Sequence, residues 1–422
     1  MQDSTELDGH LRWQRRRLKE VAVALGGEQV GPATQSSPLP RDLDAWVSLF
    51  YDLIYVAAIL VFSTAVDHVH PEYEAFWILA VFAGTWWIWF LSTVGSNRFE
   101  LRGAAHRILL LFQMFVIVLM AMEARVSVST DSSYLSFEYA LLLGTVALMY
   151  LRGERRGGPA RAYAAGVATA NALAAAVFLV GSFLGETPRL LLALGGLLIS
   201  ILPSSVLVLR SRSFDAGDEE HFIERMAAFT LIVCGEAFLE NAITVSHATL
   251  NQLDISSMAF EFILIFALFS TYFSDVPAAG LDKRRSGWWS GLHLIAQICL
   301  AATAIGASKV VDLKLDHHVT DEGIVKLTVP LVLFYLALAG IGMSGRRRPI
   351  GPLLIARLST AAALILVGVV AWSIPWVHLV EALPLLVAVV VAHGIVASKL
   401  LRGSAVISAA QIASVSAEGS QH

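Results

Sequence analysis

Charged side chains are scarce in this chain, at 15% of its 422 residues, whereas soluble domains contain about a quarter. The scarcity comes with 56% hydrophobic residues and a mean hydropathy of +0.66. Both values are typical of a membrane protein and argue against an ordinary soluble domain. The net charge of −4 gives no indication of a nucleic-acid partner.

Cysteine is rare as well. Cys234 and Cys299 both lie inside apolar runs, so we expect small buried side chains and no disulfide framework. The sequence contains no glycine-rich phosphate loop and no G-x-S-x-G nucleophile motif. The first 45 residues contain no apolar run that resembles a secretory signal, so we expect the first spanning helix to act as its own insertion signal.

The most prominent feature of the sequence is a series of long apolar runs. A helix needs ~20 residues to cross a bilayer at 1.5 Å per residue, and the runs have about that length. They predict an all-α polytopic membrane protein with about twelve transmembrane helices. The predicted spans are 46–66, 75–95, 104–122, 134–151, 163–184, 189–209, 222–244, 256–274, 288–310, 327–343, 351–372 and 377–400.

The orientation follows from the basic residues. Most lysines and arginines fall in alternate connecting segments, for example in 152–161 and 283–285. Because basic loops stay on the cytosolic side, we expect both termini to be cytosolic in the cytoplasmic (inner) membrane of a bacterium. Residues 1–45 are then a basic cytosolic segment with a linker, and residues 403–422 a disordered cytosolic tail.

The two halves of the chain echo each other. Phe50-Tyr51-Asp52 opens the first span, and Phe222-Ile223-Glu224 opens the seventh. This predicts two six-helix repeats, at 46–210 and 211–402, which lie parallel because six is an even number of crossings. Further echoes follow in the same order along the chain: Asn97 and Asp275, His106 and His293, and Gly153 and Gly345.

Polar residues inside or at the ends of the spans are the candidate functional residues. One interpretation is structural, with each acid held by the histidine of its own half and by Arg107 or Arg225. The other is functional, with the groups lining a cavity or a proton route. The two clusters, at matching depths near the cytosolic side, are Asp52, Asn97, His106 and Arg107 in the first half and Glu224, Arg225, Asp275 and His293 in the second.

Glu236 differs from the other acids in its depth. It follows Glu224 by ~18 Å along the helix axis, near or past the middle of the membrane. It lies almost on the face of Arg225, and the preceding Gly235 would let another helix or a substrate approach. A carboxyl group at this depth needs a partner, water or a proton. We therefore expect Glu236 to exchange a proton and to be the acid most directly tied to function.

Two further expectations concern aromatic residues and metals. Trp86, Trp87 and Trp89 lie in the cytosolic half of the second span, and such tryptophans typically form an aromatic belt at the membrane interface. His106 and His293 lack the spacing of a metal-binding pair. We expect no metal and no cofactor.

The run from Leu49 to Val56, LFYDLIYV, resembles the opening motif of the bacterial low temperature requirement A (LtrA) membrane family, roughly E-L-F-x-D-L-V-F-V. The stretch from Glu224 to Glu236, ERMAAFTLIVCGE, is similar to that family's E-R-F-G-L-F-x-I-I-x-L-G-E. The resemblance implies an integral membrane protein of unestablished molecular activity. Departures are Ser48, where the family usually has Glu, and Ala227 and Cys234, where it has Gly and Leu.

The sequence therefore favours a transporter or channel for a small solute or ion, with proton coupling through Glu236 as the most specific hypothesis. An enzyme or cofactor-binding protein that uses the histidine–carboxylate clusters is one alternative. A sensor or scaffold without transport is another. The expected partners are the lipid bilayer and an unidentified solute or ion, and association into a homo-oligomer stays open.

Overall fold

The computed structural model describes most of the chain from Leu43 onward. Of the basic segment 1–45 it describes only the last three residues, so the remainder of that prediction lies outside the described residues. The described ranges are 43–65, 71–127, 133–155, 161–210, 219–246, 252–276, 280–282, 285–316, 321–346, 351–373 and 379–419.

The described residues form twelve α-helices, and each helix overlaps one predicted span. Leucine and alanine favour helix, and a helix hydrogen-bonds all of its own backbone, as hydrocarbon requires. The helices are α1 Leu43–Ala65, α2 Pro71–Arg98, α3 Ala104–Ser127, α4 Ser133–Arg155, α5 Arg161–Ser182, α6 Glu186–Arg210, α7 Glu219–Ser246, α8 Gln252–Asp275, α9 Ser286–Asp316, α10 Asp321–Ser344, α11 Gly351–Ser373 and α12 Leu379–Gly419.

The all-helical prediction is confirmed for the described residues, where an isolated bridge between Leu281 and Gly345 is the only β-type pairing. In the described parts of the chain, eight helices, α3 to α6 and α9 to α12, are long and apolar enough to cross a membrane. A shorter apolar stretch, Met258–Ser274, lies in α8. Among the other helices, α7 is rich in charge, with Glu219, Glu220, Glu224, Arg225, Glu236 and Glu240.

Exposed apolar faces indicate contact with lipid. On α3, the side chains of Ile108, Phe115 and Met122 are 66%, 61% and 63% exposed. Residues seven apart lie on one side of a helix, so the three form a single stripe. On the other side of α3, Gln113 and Ile117 are fully buried. An apolar stripe of this kind is stable in a bilayer and unfavourable in water.

Neighbouring helices pack in chain order in both parts of the molecule. Each helix from α3 to α6 packs against the next, and so does each helix from α9 to α12. Helix α2 contacts α4 in the N-terminal half (α1–α6), and it also contacts α7 and α9 of the C-terminal half (α7–α12). The contacts of α1 with α7, and of α2 with α7 and α9, are called the inter-half interface below.

Two helix ends are packed against a loop from earlier in the chain. At the end of α4, a Cβ added to Gly153 would lie 2.6 Å from the Phe99 ring, so this position requires the missing side chain. At the end of α10, Gly345 forms the bridge with Leu281. Phe99 follows α2 and Leu281 follows α8. In both cases the loop after one helix contacts the end of the helix two further along the chain.

The C-terminal helix is longer than the sequence predicts. The tail expected to be disordered from residue 403 is helical through Gly419. The extension contains five alanines and no proline, and alanine has the highest helix propensity of all residues. Polarity and small side chains suggested disorder here, whereas the helix propensity of the alanines decides the backbone conformation.

Candidate functional site

The most deeply buried charge in the inter-half interface is Asp52, on α1. Its side chain is completely buried. The Oδ1 atom accepts a hydrogen bond of 2.6 Å from Trp89 Nε1 and one of 2.5 Å from Arg225 Nη2. The Oδ2 atom has no hydrogen-bond partner among the described residues. One carboxylate oxygen therefore accepts two hydrogen bonds, and the other accepts none from the described residues.

Arg225 supplies the opposite charge from α7. Its side chain is 6% exposed, and its Nη2 atom also lies 3.4 Å from Thr93 Oγ1. Thr93 and Trp89 are four residues apart on α2, so they share one face. The ion pair between Asp52 and Arg225 therefore joins α1 and α7, and Trp89 of α2 donates a further hydrogen bond to Asp52. Charges this deep are retained only when they are paired and hydrogen-bonded.

Aromatic rings pack in the inter-half interface beside the buried ion pair. The centroids of Trp89 and Phe229 are 4.2 Å apart, which places a ring of α7 against a ring of α2. Trp86 stacks on Phe90 at 5.1 Å, and Phe90 meets Phe222 edge-on at 6.3 Å. Low-dielectric walls of this kind strengthen the attraction between the two charges and raise the cost of leaving either one alone.

A second polar contact crosses the inter-half interface one helical turn away. Trp86 Nε1 donates to Gln297 Oε1, on α9, at 2.6 Å. Gln297 Nε2 in turn donates to Thr230 Oγ1, on α7, at 2.9 Å. Trp86 and Trp89 lie on neighbouring turns of α2, and both donate their indole N–H groups to the interface. Helix α2 is thus hydrogen-bonded to α1, to α9 and to α7, with α7 reached directly through Thr93 and indirectly through Gln297.

A protein-family model decides the family. The model described as "Bacterial low temperature requirement A protein (LtrA)" matches residues 45–398. The chain belongs to the LtrA family. Family membership and the apolar helices together identify an integral membrane protein of a bacterial type. Asp52 and Arg225 lie in the two LtrA-like motifs noted in the sequence, and the structure joins these motifs in one ion pair.

A relative of this LtrA-family chain is the "Uncharacterized protein RA0937" of Rhizobium meliloti (strain 1021). The two are 25% identical over 247 residues, which cover 56% of this chain and 59% of the relative. The similarity thus covers somewhat more than half the length of the relative. No solved structure matches the chain.

The structure contradicts the expected pairing of Glu224 with His293. The Glu224 side chain is 70% exposed and lies 3.9 Å from His221 Nδ1. His293 is completely buried, where its Nδ1 atom lies 2.8 Å from the Trp289 carbonyl oxygen. Consecutive residues of a helix point about 100° apart. Arg225 and Met226 face the interior, and Glu224 lies on the exposed side of α7.

The first cluster is also assembled differently from the prediction. Among the described residues, Asp52 bonds to Trp89 and Arg225 and not to His106. His106 is buried in the first turn of α3, where its backbone N–H group donates to the Gly103 carbonyl oxygen. Asn97 and Arg107 are partly buried. Asp275 ends α8, and its side chain lies outside the described part of the chain.

Glu236 lies on α7, about 16 Å along the helix from Arg225, and it is partly buried. Gly235 is exposed, and a Cβ added there would have no heavy atom within 4 Å. Of the two expected neighbours of Gly235, another helix or a substrate, no helix among the described residues occupies this space. The open space leaves Glu236 beside a surface that a solute or lipid can approach.

The interpretation of the tryptophans as an interfacial belt is wrong for two of the three. Trp86 and Trp89 are 1% and 0% exposed, and they donate to Gln297 and Asp52. Trp87 is partly buried and donates to Ser200 Oγ at 3.0 Å. The signal in the sequence was the presence of Asp52 and Gln297 at similar depths, because a buried indole N–H group needs an acceptor.

Sequence reasoning also missed residues around Gln113, on α3. Its Oε1 atom accepts from Tyr51 Oη at 2.8 Å and lies 3.2 Å from Ser92 Oγ. Its Nε2 atom donates to Thr145 Oγ1 at 2.6 Å. Gln113 therefore ties α1, α2 and α4 together inside the N-terminal half. This network holds Tyr51 in place, and with it the backbone that carries Asp52.

Proposed function

We propose that this chain is a transporter of a small solute or ion, and that the Asp52–Arg225 ion pair is the gate between its two halves. The observation that carries the proposal is a completely buried aspartate on the first helix of one half, bonded to an arginine on the first helix of the other. Ionisable residues in this position are rare in membranes and mark transport pathways.

The position of the ion pair favours a gate over simple attachment. Packing between membrane helices usually relies on small residues and neutral hydrogen bonds, and here the Trp86–Gln297 contact already supplies one. A charged pair contributes little beyond that, because desolvation offsets much of its attraction. A pair whose partners lie on different halves is, however, broken and remade when one half rotates against the other, as in alternating access.

The six-helix repeat supports this motion. In the N-terminal half Asn171 and Ser200 join α5 to α6 by a hydrogen bond of 2.8 Å. In the C-terminal half Thr360 and His393 join α11 to α12 at 2.9 Å. These equivalent bonds, the matching packing order and the two packed glycine ends all favour two copies of one unit. Twelve crossings and cytosolic termini complete the proposal.

Cysteine labelling tests the gate without any knowledge of the substrate. With Cys234 and Cys299 replaced by alanine, Ala58→Cys reports on α1 beside the gate, and Ala397→Cys reports on α12. Both alanines are 3% exposed. We expect Asp52→Asn or Arg225→Gln to speed labelling at Ala58→Cys by about tenfold, corresponding to ~1.4 kcal/mol, and to leave Ala397→Cys unchanged.

Arg346→Gln is the matched control. It removes an arginine whose ion pair with Glu219, at 3.7 Å, lies at a 66% exposed side chain. Faster labelling at both reporters would mean that the whole protein has loosened. No change at Ala58→Cys when the ion pair is broken would make the pair a purely structural contact and reject the gate.

A second prediction concerns Glu236. In liposomes under imposed proton and potassium gradients, Glu236→Gln is expected to lose pH-dependent flux at a normal folding yield, because glutamine cannot exchange a proton. Glu224→Gln is the control, since it makes the same change on the same helix at a 70% exposed side chain. Proton flux is read from a pH dye inside the liposomes. Equal fluxes for Glu236→Gln and the unmodified protein would remove Glu236 from the proton route.

A further inference from the structure

The ion pair is electrically neutral and closed to water, and this limits what can replace it. Asp52 and Arg225 contribute one negative and one positive charge, and both are buried. Arg225 is the charged side chain that acts on Asp52 among the described residues. From α2 the neutral Trp89 faces Asp52 and the neutral Thr93 faces Arg225. On α1 the titratable Tyr51 lies next to Asp52. Within the part of the chain that the structure describes, no further charged side chain acts on Asp52 to offset a change at this carboxylate.

Binding of a proton alone, or of an anion alone, is unfavourable at the ion pair. A proton added to Asp52 alone leaves the Arg225 cation buried without a counter-ion. An anion added to Arg225 alone leaves the Asp52 carboxylate buried without a cation. An uncompensated buried charge is strongly destabilising. A proton and an anion that arrive together leave the charge of the site unchanged, so each makes the binding of the other more favourable.

We propose that the site binds one proton together with one small monocarboxylate anion, and that the protein moves the two as an electroneutral pair. The proposal rests on the gate described above and names its substrate class. The proton goes to the Asp52 carboxylate, and the ion pair with Arg225 breaks. The substrate carboxylate takes the place of Asp52 on Arg225. One negative and one positive charge face each other before and after the exchange.

The donors around Asp52 suit a carboxylate. A guanidinium binds a carboxylate in a planar, two-pronged arrangement. Arg225 Nη2 is in use, and Arg225 Nε has no hydrogen-bond partner among the described residues. When Asp52 leaves, Trp89 Nε1 loses its acceptor and becomes available to the substrate, and Thr93 Oγ1 lies 3.4 Å from Arg225 Nη2. A carboxylate thus replaces a carboxylate among the same donors.

The single positive charge of Arg225 and the aromatic residues nearby restrict the class of substrate further. One cation balances one negative charge, which disfavours dicarboxylates and phosphate dianions. Phe229 packs on Trp89 at 4.2 Å between ring centroids, so the neighbouring walls are aromatic and suit a short apolar body. Cations are excluded from the exchange, because Arg225 would repel them once Asp52 is protonated. A small monocarboxylate satisfies all of these conditions.

Proton uptake on binding is the direct test. Pyruvate, lactate and propionate are titrated calorimetrically into the purified protein in two buffers of different ionisation enthalpy, with choline as the cationic control. We expect one proton taken up per anion bound for at least one monocarboxylate, an affinity that rises about tenfold per unit fall in pH, and no binding of choline. No binding of any of the three anions, or binding without proton uptake, overturns the proposal.

Variants identify the site. Asp52→Asn mimics the protonated acid, so it is expected to bind the anion without proton uptake and with an affinity independent of pH. Arg225→Gln is expected to abolish binding, and Arg346→Gln to leave it unchanged. Proton-linked binding that persists in Asp52→Asn would assign the proton to another group and overturn the proposal. Because cysteine labelling needs no substrate, a gate that opens together with a failed titration rejects the anion and not the gate.

Discussion

Arg225→Met is expected to destabilise the protein by about 3–5 kcal/mol, because it leaves the Asp52 carboxylate buried without its cation. Arg225 donates to Asp52 at 2.5 Å from a side chain that is 6% exposed. The aromatic rings nearby offer no replacement charge. The free energy of unfolding is measured by titration with SDS in mixed micelles, at a pH where an unpaired aspartate is ionised in water.

A double variant shows whether the stability lost in Arg225→Met comes from the unpaired charge or from packing. Asp52→Leu together with Arg225→Met removes both charges, and it is expected to recover most of the stability, since an apolar pair of similar volume replaces a buried ion pair at little cost. If the double variant is as unstable as Arg225→Met, the loss comes from packing and not from charge. A stable double variant in which Ala58→Cys is labelled faster than with the ion pair intact would show that the pair holds the gate closed.

Gly368→Ala is expected to destabilise the protein by about 1–3 kcal/mol through overpacking. A Cβ at Gly368, on α11, would lie 2.6 Å from Thr328 Cγ2 and 3.0 Å from Thr328 Oγ1, on α10. The threonine is β-branched and cannot turn aside easily, so the two helices must separate. The change is measured as the midpoint of thermal unfolding in detergent.

Gly144→Ala, on α4, is the matched control, because a Cβ there would have no heavy atom within 4 Å. It gains helix propensity of up to ~1 kcal/mol, so the two substitutions should act in opposite directions. Equal effects at the two glycines would mean that α10 and α11 do not touch at Gly368.

The helices could be predicted from the sequence, because the length of an apolar run is a direct physical requirement of the bilayer. The faces of the helices could not. In a soluble helix the polar residues mark the outside, but in α2 the lipid side and the core side are both apolar. Trp86 and Trp89 therefore looked like membrane-facing residues, although they are among the most buried side chains of the molecule.

The partners of the charged residues were equally hard to predict. The position of a residue along its span predicts its depth in the membrane, and it places Asp52, Glu224 and Arg225 at similar depths. Depth does not say which helices touch, so the acid of each half was matched with groups of its own half. The structure matches Asp52 with the arginine of the other half and turns Glu224 outward. Although Glu224 and Arg225 are adjacent on α7, the first is exposed and the second is buried in the ion pair.

The separation of Asp52 and Arg225 by 173 residues has a consequence for synthesis. At ~5–20 residues per second, a ribosome makes α7 roughly 10–30 s after α1. During that time five helices follow α1 toward the membrane while its carboxylate has no cation. The nascent α1 therefore has to stay near water or near the insertion machinery until Arg225 arrives. Five more helices, α8 to α12, are made after α7, so the ion pair can form before the chain is complete.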